Sequence, residues 1–162
     1  MGTLLPLAER AAVLLNARGE TVAVAESSAG GLVCAALLAV PGASAYFRGG
    51  VVAYTRESRH ALLCLPDAAL DGVPPNSEPL ASLLAGAARD RLGSAWGLGE
   101  TGAAGPTGNR YGHPAGRACL AVAGPHASRS VTLESGSADR RANMRLFGAE
   151  LLRLLIGALE AA

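Results

Sequence analysis

The chain has 162 residues, half of them hydrophobic and only 4% aromatic, with a formal net charge of +1. That length fits one domain with a substantial Ala, Leu and Val core, and so small a charge excludes the electrostatic footprint of a nucleic-acid or acidic-membrane partner. All 14 basic residues are arginine, so no lysine is present to act as general base, Schiff-base amine or phosphate anchor.

Leu4 to Arg18 reads as an amphipathic helix with Leu7, Ala11, Leu14 and Leu15 on one face. Gly19 closes it. Thr21 to Ala25 is short and β-branched, a pattern that predicts a buried strand. A helix rich in Ala and Leu is expected over 28–39, broken by Pro41-Gly42. Between strand and helix stands Glu26-Ser27-Ser28-Ala29-Gly30-Gly31. Helix-start N–H groups and the positive end of the helix dipole favour an anion or a developing oxyanion. A serine at such a turn is a nucleophile or an anion contact; equally, Ser27 or Ser28 caps the helix.

Phe47 to Tyr54 predicts a strand whose Gly49-Gly50 pair marks a close backbone approach. A short helix over Arg56 to Leu63 and a loop from Pro66 to Pro75 follow. Ser77 to Leu92 reads as a helix with Ser77 as N-cap and Pro79 in its first turn. Ala95 to Gly99 predicts a strand. The stretch from Thr101 through Gly102, Ala104 and Gly105 to Gly116 is so rich in Gly and Pro that a loop is expected. Arg117–Ala123 and Ser130–Glu134 predict paired strands, and Ala138–Leu159 a terminal helix carrying Arg141 and Arg145. Helices alternating with strands, then a hairpin, imply a single-domain three-layer α/β/α sandwich with a mixed sheet.

Cys34, Cys64 and Cys119 are widely spaced, with no zinc-type pattern and no Cys-x-x-Cys. No run reaches the roughly 18 apolar residues of a membrane span. The start lacks a basic region followed by a long apolar stretch. A cytoplasmic protein without metal is expected.

Three segments lie in register with a known family: Ala25-Glu26-Ser27-x-x-Gly30-Gly31, Gly42-Ala43-Ser44-Ala45-Tyr46-Phe47 followed by Tyr54, and Thr101-Gly102-x-Ala104-Gly105-Pro106-x-Gly108 with Pro114-x-Gly116. The chain resembles the CinA C-terminal domain family over nearly its whole length, in the stand-alone form that includes nicotinamide mononucleotide deamidases. The resemblance implies an often dimeric α/β/α domain without metal or organic cofactor. Its small-molecule nucleotide substrate would lose its carboxamide to water. Ser27 matches the family serine, Ser44 a supporting serine, Tyr54 the strand-end tyrosine and Thr101 the hydroxyl before the glycine-rich loop. Arg141 or Arg145 matches an arginine near the ligand phosphate.

Two departures stand out. The family's Ser-Cys-Thr-Gly-Gly is here Ser27-Ser28-Ala29-Gly30-Gly31. The family lysine five residues after the tyrosine is Arg59. A serine hydroxyl needs a base or a strong local field. Lysine can serve when its pKa is brought down, but arginine cannot, so a Ser-Lys dyad is excluded. Three alternatives remain open at this point. Arg59 stabilises a deprotonated Tyr54 as base; His60 or His113 supplies the base, against the plainer reading of both as structural or solvent-facing; or the fold only binds a nucleotide. Within the enzyme reading, amides near Ala29 and Gly30 would hold the oxyanion. A relative with altered amide specificity, selected through Arg59, is a further form of it.

Overall fold

The computed structural model describes residues 2–162. The first helix, α1, runs Leu5–Arg18 and closes on Gly19 in the left-handed region. It is followed by β1 (Val22–Glu26), α2 (Leu32–Ala39), a 3-10 turn over Ala43–Ala45 and β2 (Phe47–Val52). Next come α3 (Arg56–Leu63), a single helical turn α4 (Asp67–Leu70) and α5 (Glu78–Leu92). The chain ends with β3 (Trp96–Ala103), β4 (Arg117–Ala123), β5 (Ser128–Glu134) and α6 (Arg140–Glu160).

The five strands form one mixed sheet in the order β2-β1-β3-β4-β5. β1 pairs in parallel with both β2 and β3, and the last three strands are antiparallel. Every residue of β1 is buried, as a central strand covered on both faces must be. Its even-numbered side chains, Val22 and Val24, join the larger core beneath α1, α2 and α6. Ala23 and Ala25 point the other way, towards Leu80, Leu84 and Ala88 of α5. The sheet is therefore sandwiched between helix layers.

Sequence and structure part in several places. The stretch 66–75 holds the turn α4, which Pro66 opens with extended backbone. More consequentially, β3 continues through Thr101, Gly102 and Ala103, which pair with Cys119, Ala118 and Arg117. Glycine weakens a strand on its own, but here an antiparallel partner satisfies the backbone residue by residue. The loop begins only after Ala103.

Close approach explains the glycines of β3. A methyl group at Gly97 or Gly99 would overlap the backbone carbonyl oxygen of Ala85 or Ala81 on α5. The bare strand lets that helix lie directly on the sheet. Gly50 of β2 likewise leaves room for Cys34 Sγ and the Val24 carbonyl, the close approach expected of the glycine pair. Gly99→Ala is expected to lower stability by about 3 kcal/mol, at the upper end of overpacking costs, read as a lower urea midpoint with an unchanged slope.

α2 leaves β1 over one face of the sheet, while the segment carrying α5 leaves β2 for the other. Connections that diverge in this way open a crevice beyond the carboxyl ends of the strands. The serine turn, Tyr54 and the glycine-rich loop all lie at that end.

Candidate active site

Two fully buried carboxylates, Glu26 and Glu100, organise the turn after β1. Glu26 ends the strand and folds its side chain forward. Its Oε2 accepts from the Gly31 and Val33 amides at 2.9 and 3.1 Å, and its Oε1 accepts from the Cys34 amide at 2.8 Å. These are N–H groups at the start of α2 that have no partner within the helix. The carboxylate therefore replaces a side-chain cap, and it lies at the favourable end of the helix dipole. The expected helix start at residue 28 shifts accordingly to Leu32. Gly30 and Gly31 turn the chain with φ of 71° and 90°, and neither Ser27 nor Ser28 caps the helix.

Glu100 reaches the same turn from β3. Its Oε2 accepts from the Ser27 and Ala29 amides at 2.9 and 2.8 Å, while its Oε1 accepts a short bond from the Ser28 hydroxyl. Burial pushes the Glu100 carboxyl above its ordinary range; the Ser28, Ala29 and Ser27 hydrogen bonds pull it back and Glu26 pushes it further up. Burial, and after it the charge of Glu26, hold the partly buried Cys34 thiol well above its usual value.

A folded pKa above the unfolded one means that the folded chain binds the extra proton. The contribution of Glu100 to stability is thus full below the unfolded carboxyl pKa of 4.5. It is lost as pH rises through the folded value. The urea midpoint of the wild type, measured against Glu100→Gln, is expected to fall as pH rises from that point; a difference independent of pH would contradict this.

Beside the turn lies an open cleft of about 190 Å3 lined by Ser28, Tyr54, residues 102–105, Thr107, Gly108, Asn109 and Arg140. Ser28, Tyr54, Gly102, Ala104 and Gly105 thus meet in one place. A Cβ at Gly102 would stand 2.6 Å from Ser28 Oγ, so glycine there leaves room for the hydroxyl. Arg140 anchors one guanidinium nitrogen on the Gly105 carbonyl at 2.7 Å. Asn143 of α6 holds the same loop through the Ala104 carbonyl at 2.8 Å.

Other expected site residues fall elsewhere. Ser27, as buried as Ser28 at 5% against 4% exposure, is absent from the cleft wall. Ser44 lies in the 3-10 turn before β2, whose Phe47 pairs with Val22 at the start of β1. Parallel pairing puts Ser44 at the opposite end of the strands from Ser27, about 13 Å or more away at 3.3 Å per residue. It therefore does not support Ser27 within one chain. Of the Ala29 and Gly30 amides expected to hold an oxyanion, the first is spent on Glu100 and the second donates to the Ser27 carbonyl at 3.2 Å; the Gly31 amide is spent on Glu26.

Thr101 is buried beside Cys119 of β4, which belongs to the α5 side of the sheet. Strand alternation points it away from the face shared by Glu100 and Gly102. Arg141 and Arg145 are exposed and outside the cleft wall; Arg140, one position earlier, lines it. Each residue turns about 100° around a helix, so a shift of one changes the face presented.

Arg59 is half-buried and donates to the Ala53 carbonyl at 3.4 Å. Burial lowers its pKa, while Tyr111 and Glu100 raise it. His113 pins the loop, its amide donating to Asn109 Oδ1 at 3.1 Å, and is absent from the cleft wall. His60 is an exposed residue of α3.

Glu26, Glu100 and Arg140 are the residues that sequence reasoning passed over. For the two glutamates the available signal was a charged residue closing each of two small, apolar runs, Val22–Ala25 and Trp96–Gly99. Only their burial reveals what the charges do.

A family model, CinA C-terminal domain, matches residues 4–159. The chain belongs to the CinA C-terminal domain family. Among curated relatives of this family, a CinA-like protein from Gloeobacter violaceus is 43% identical over 131 residues, covering 81% of this chain and 31% of that protein. One from Anaeromyxobacter sp. (strain K) is 44% identical over 152 residues, covering 93% and 37%. The chain thus spans roughly a third of the length of these relatives. Among solved structures, a competence-damaged protein (CinA) superfamily protein from Klebsiella pneumoniae 700603 superposes with a TM-score of 0.91 at 25% identity, covering 98% and 99% of the two chains. The competence/damage inducible protein CihA from Agrobacterium tumefaciens superposes with a TM-score of 0.89 at 28% identity, covering 99% and 97%. The α/β/α sandwich with its mixed sheet is therefore the fold of that superfamily. Among the described residues no helix is long and apolar enough to cross a membrane.

Proposed function

We propose that this cleft hydrolyses the carboxamide of nicotinamide mononucleotide, giving nicotinate mononucleotide and ammonia, as part of pyridine nucleotide recycling. The observation carrying this reading is the convergence of a carboxylate-bound serine hydroxyl, Ser28, and an arginine, Arg140, on one cleft. The hydroxyl supplies an oxygen nucleophile from the Ser27–Ser28 pair. Arg140 keeps guanidinium N–H donors beyond the one bound to Gly105, and a guanidinium fork suits a phosphate. Tyr54 and the glycine-rich loop frame the ring and ribose between them. The reading includes a cytoplasmic homodimer using no metal or organic cofactor.

Ammonia release from nicotinamide mononucleotide by the purified protein tests it, with nicotinamide riboside alongside. Release is expected from the nucleotide, and more weakly from the riboside, which has no phosphate for Arg140. Arg140→Ala should raise KM about tenfold or more for the nucleotide, with kcat little changed and no effect on the riboside. An equal rise for both substrates would remove Arg140 from the phosphate.

A second reading, a nucleotide-binding module without turnover, is favoured by one observation: carboxylates already occupy the Ala29 and Gly31 amides. Nucleotide binding in a thermal-shift assay with no ammonia released would support it over hydrolysis.

A further inference from the structure

We propose that Glu100 is a positioning residue for catalysis: from the central strand β3 it holds the backbone around Ser27 and so fixes where the Ser27 hydroxyl stands relative to the bound amide. The inference rests on the hydrolase reading above, with Ser27 as the nucleophile of the Ser27–Ser28 pair. It goes beyond that reading by assigning the group that sets the nucleophile's position.

Three consecutive peptide groups carry it. The one before Ser27 gives its N–H to Glu100 Oε2 at 2.9 Å. The one after Ser27 has its carbonyl held by the Gly30 amide at 3.2 Å. The next, between Ser28 and Ala29, gives its N–H to the same Oε2 at 2.8 Å. The Ser28 hydroxyl adds a fourth tie, to Oε1. With planar peptides only φ and ψ are free at a residue, so peptides held on either side of the Ser27 Cα fix the direction of its side-chain bond. Glu100 binds the Ser27 amide and not its hydroxyl, so the nucleophile is placed without its proton being engaged by that carboxylate.

The residues that follow the serines cannot supply this hold themselves. Ala29, Gly30 and Gly31 have no polar side chain, and glycine is the most permissive residue for the backbone. Glu26 ties the chain only from Gly31 onward, past both serines. Glu100 has a firm base: it is fully buried and lies in β3 opposite Leu120 of β4. A site held from a strand keeps its geometry better than one held from a loop. Gly102 leaves room for the fourth tie, since a Cβ there would stand 2.6 Å from Ser28 Oγ. A misplacement of about 1 Å at a reacting group costs about 10²-fold in rate, so loss of these ties acts on kcat. The ligand itself meets Tyr54, Asn109 and Arg140 of the cleft wall, none of which Glu100 binds, so KM is left in place.

Glu100→Ala and Glu100→Gln together test it. Alanine removes all three ties that Glu100 makes. Glutamine keeps them, because its carbonyl oxygen accepts the two amides and its N–H donates to Ser28 Oγ, but it takes up no proton. Turnover of nicotinamide mononucleotide is measured beside far-UV circular dichroism. The rate of labelling by phenylmethylsulfonyl fluoride gives a readout independent of substrate, with peptide mass mapping to locate the label. In that reaction the serine oxygen bonds to sulfur, fluoride leaves and the hydroxyl proton passes to water. The expected result is kcat lowered about 10²-fold in Glu100→Ala with KM within about twofold, and kcat in Glu100→Gln restored to within about tenfold of wild type. Labelling of Ser27 should slow in the same order. Should Glu100→Ala not fold, Glu100→Asp, one methylene short of the turn, takes its place with the same expected order. Wild-type kcat in Glu100→Ala, a fall in turnover that tracks the folded fraction, Glu100→Gln as slow as Glu100→Ala, or a label on a serine other than Ser27 would overturn the assignment. Slowed Ser27 labelling with no ammonia from the nucleotide in any variant would uphold the positioning and remove the nucleotide as substrate. A wild type with neither label nor ammonia would overturn the proposal together with the hydrolase reading.

Discussion

Glu26→Ala is expected to cost about 4 kcal/mol of stability. The three amides that Glu26 accepts, from Gly31, Val33 and Cys34, would lose a charged acceptor at once. Each buried donor left unpaired costs about 1–3 kcal/mol, and partial solvation of the exposed end of the turn brings the sum towards its lower half. Domains of this size have about 5–15 kcal/mol in all, so the loss would leave a marginal protein. Glutamine would be only a partial substitute, since its amide nitrogen would face an N–H that needs an acceptor. Urea unfolding should therefore rank wild type above Glu26→Gln and Glu26→Ala last. A midpoint for Glu26→Ala within experimental error of wild type would mean that the carboxylate does not hold the turn.

The largest effect on activity is expected from removing both hydroxyls of the turn. The double variant Ser27→Ala with Ser28→Ala leaves no oxygen nucleophile at the end of β1. Turnover of nicotinamide mononucleotide should fall by roughly four orders of magnitude or more, the scale seen when a nucleophile is removed from an acyl-transfer site. The backbone donors to Glu100 remain, so the stability loss should stay at about 1.5–3 kcal/mol, the cost of one buried hydrogen bond to a charged group. Activity and folding are thereby separated. If both fell together, the hydroxyls would be part of the fold and their chemistry would remain unassigned. If neither fell, the nucleophile would lie elsewhere.

Local chemistry made most of the elements legible. The β-branched run before Glu26, the Ser77 cap with Pro79, and the paired strands around Gly124-Pro125 each carry their signal within a few residues. The arrangement of the site was less legible because it depends on contacts far apart in the chain. Glu100 meets the amide of Ser27 across 73 positions of sequence, and nothing near either residue announces the pairing. The strand through Thr101-Gly102-Ala103 forms because β4 lies beside it; its own residues favour a loop. Ser44 failed as a partner because parallel pairing carries the start of β2 to the far end of the sheet, a property of topology and not of the local motif. That Arg140 lines the cleft while Arg141 and Arg145 do not is a matter of helix phase, set by where α6 begins after its Asp139 cap.

The family resemblance pointed to the serine turn and the glycine-rich loop, and both border one cleft beyond the carboxyl ends of the strands. Glu26 and Glu100 divide the turn between them. One holds the helix start and the other holds the serine, and this division explains why two charges are buried so close together.

The central claim is acyl transfer at this turn. The most direct measurement is intact-protein mass spectrometry of samples acid-quenched during turnover of nicotinamide mononucleotide, followed by peptide mapping. The account predicts a covalent adduct with the mass of the acyl nucleotide on the peptide containing Ser27 and Ser28, absent from the double variant. Ammonia release at an undiminished rate from the double variant, with no adduct on the wild type, would contradict it.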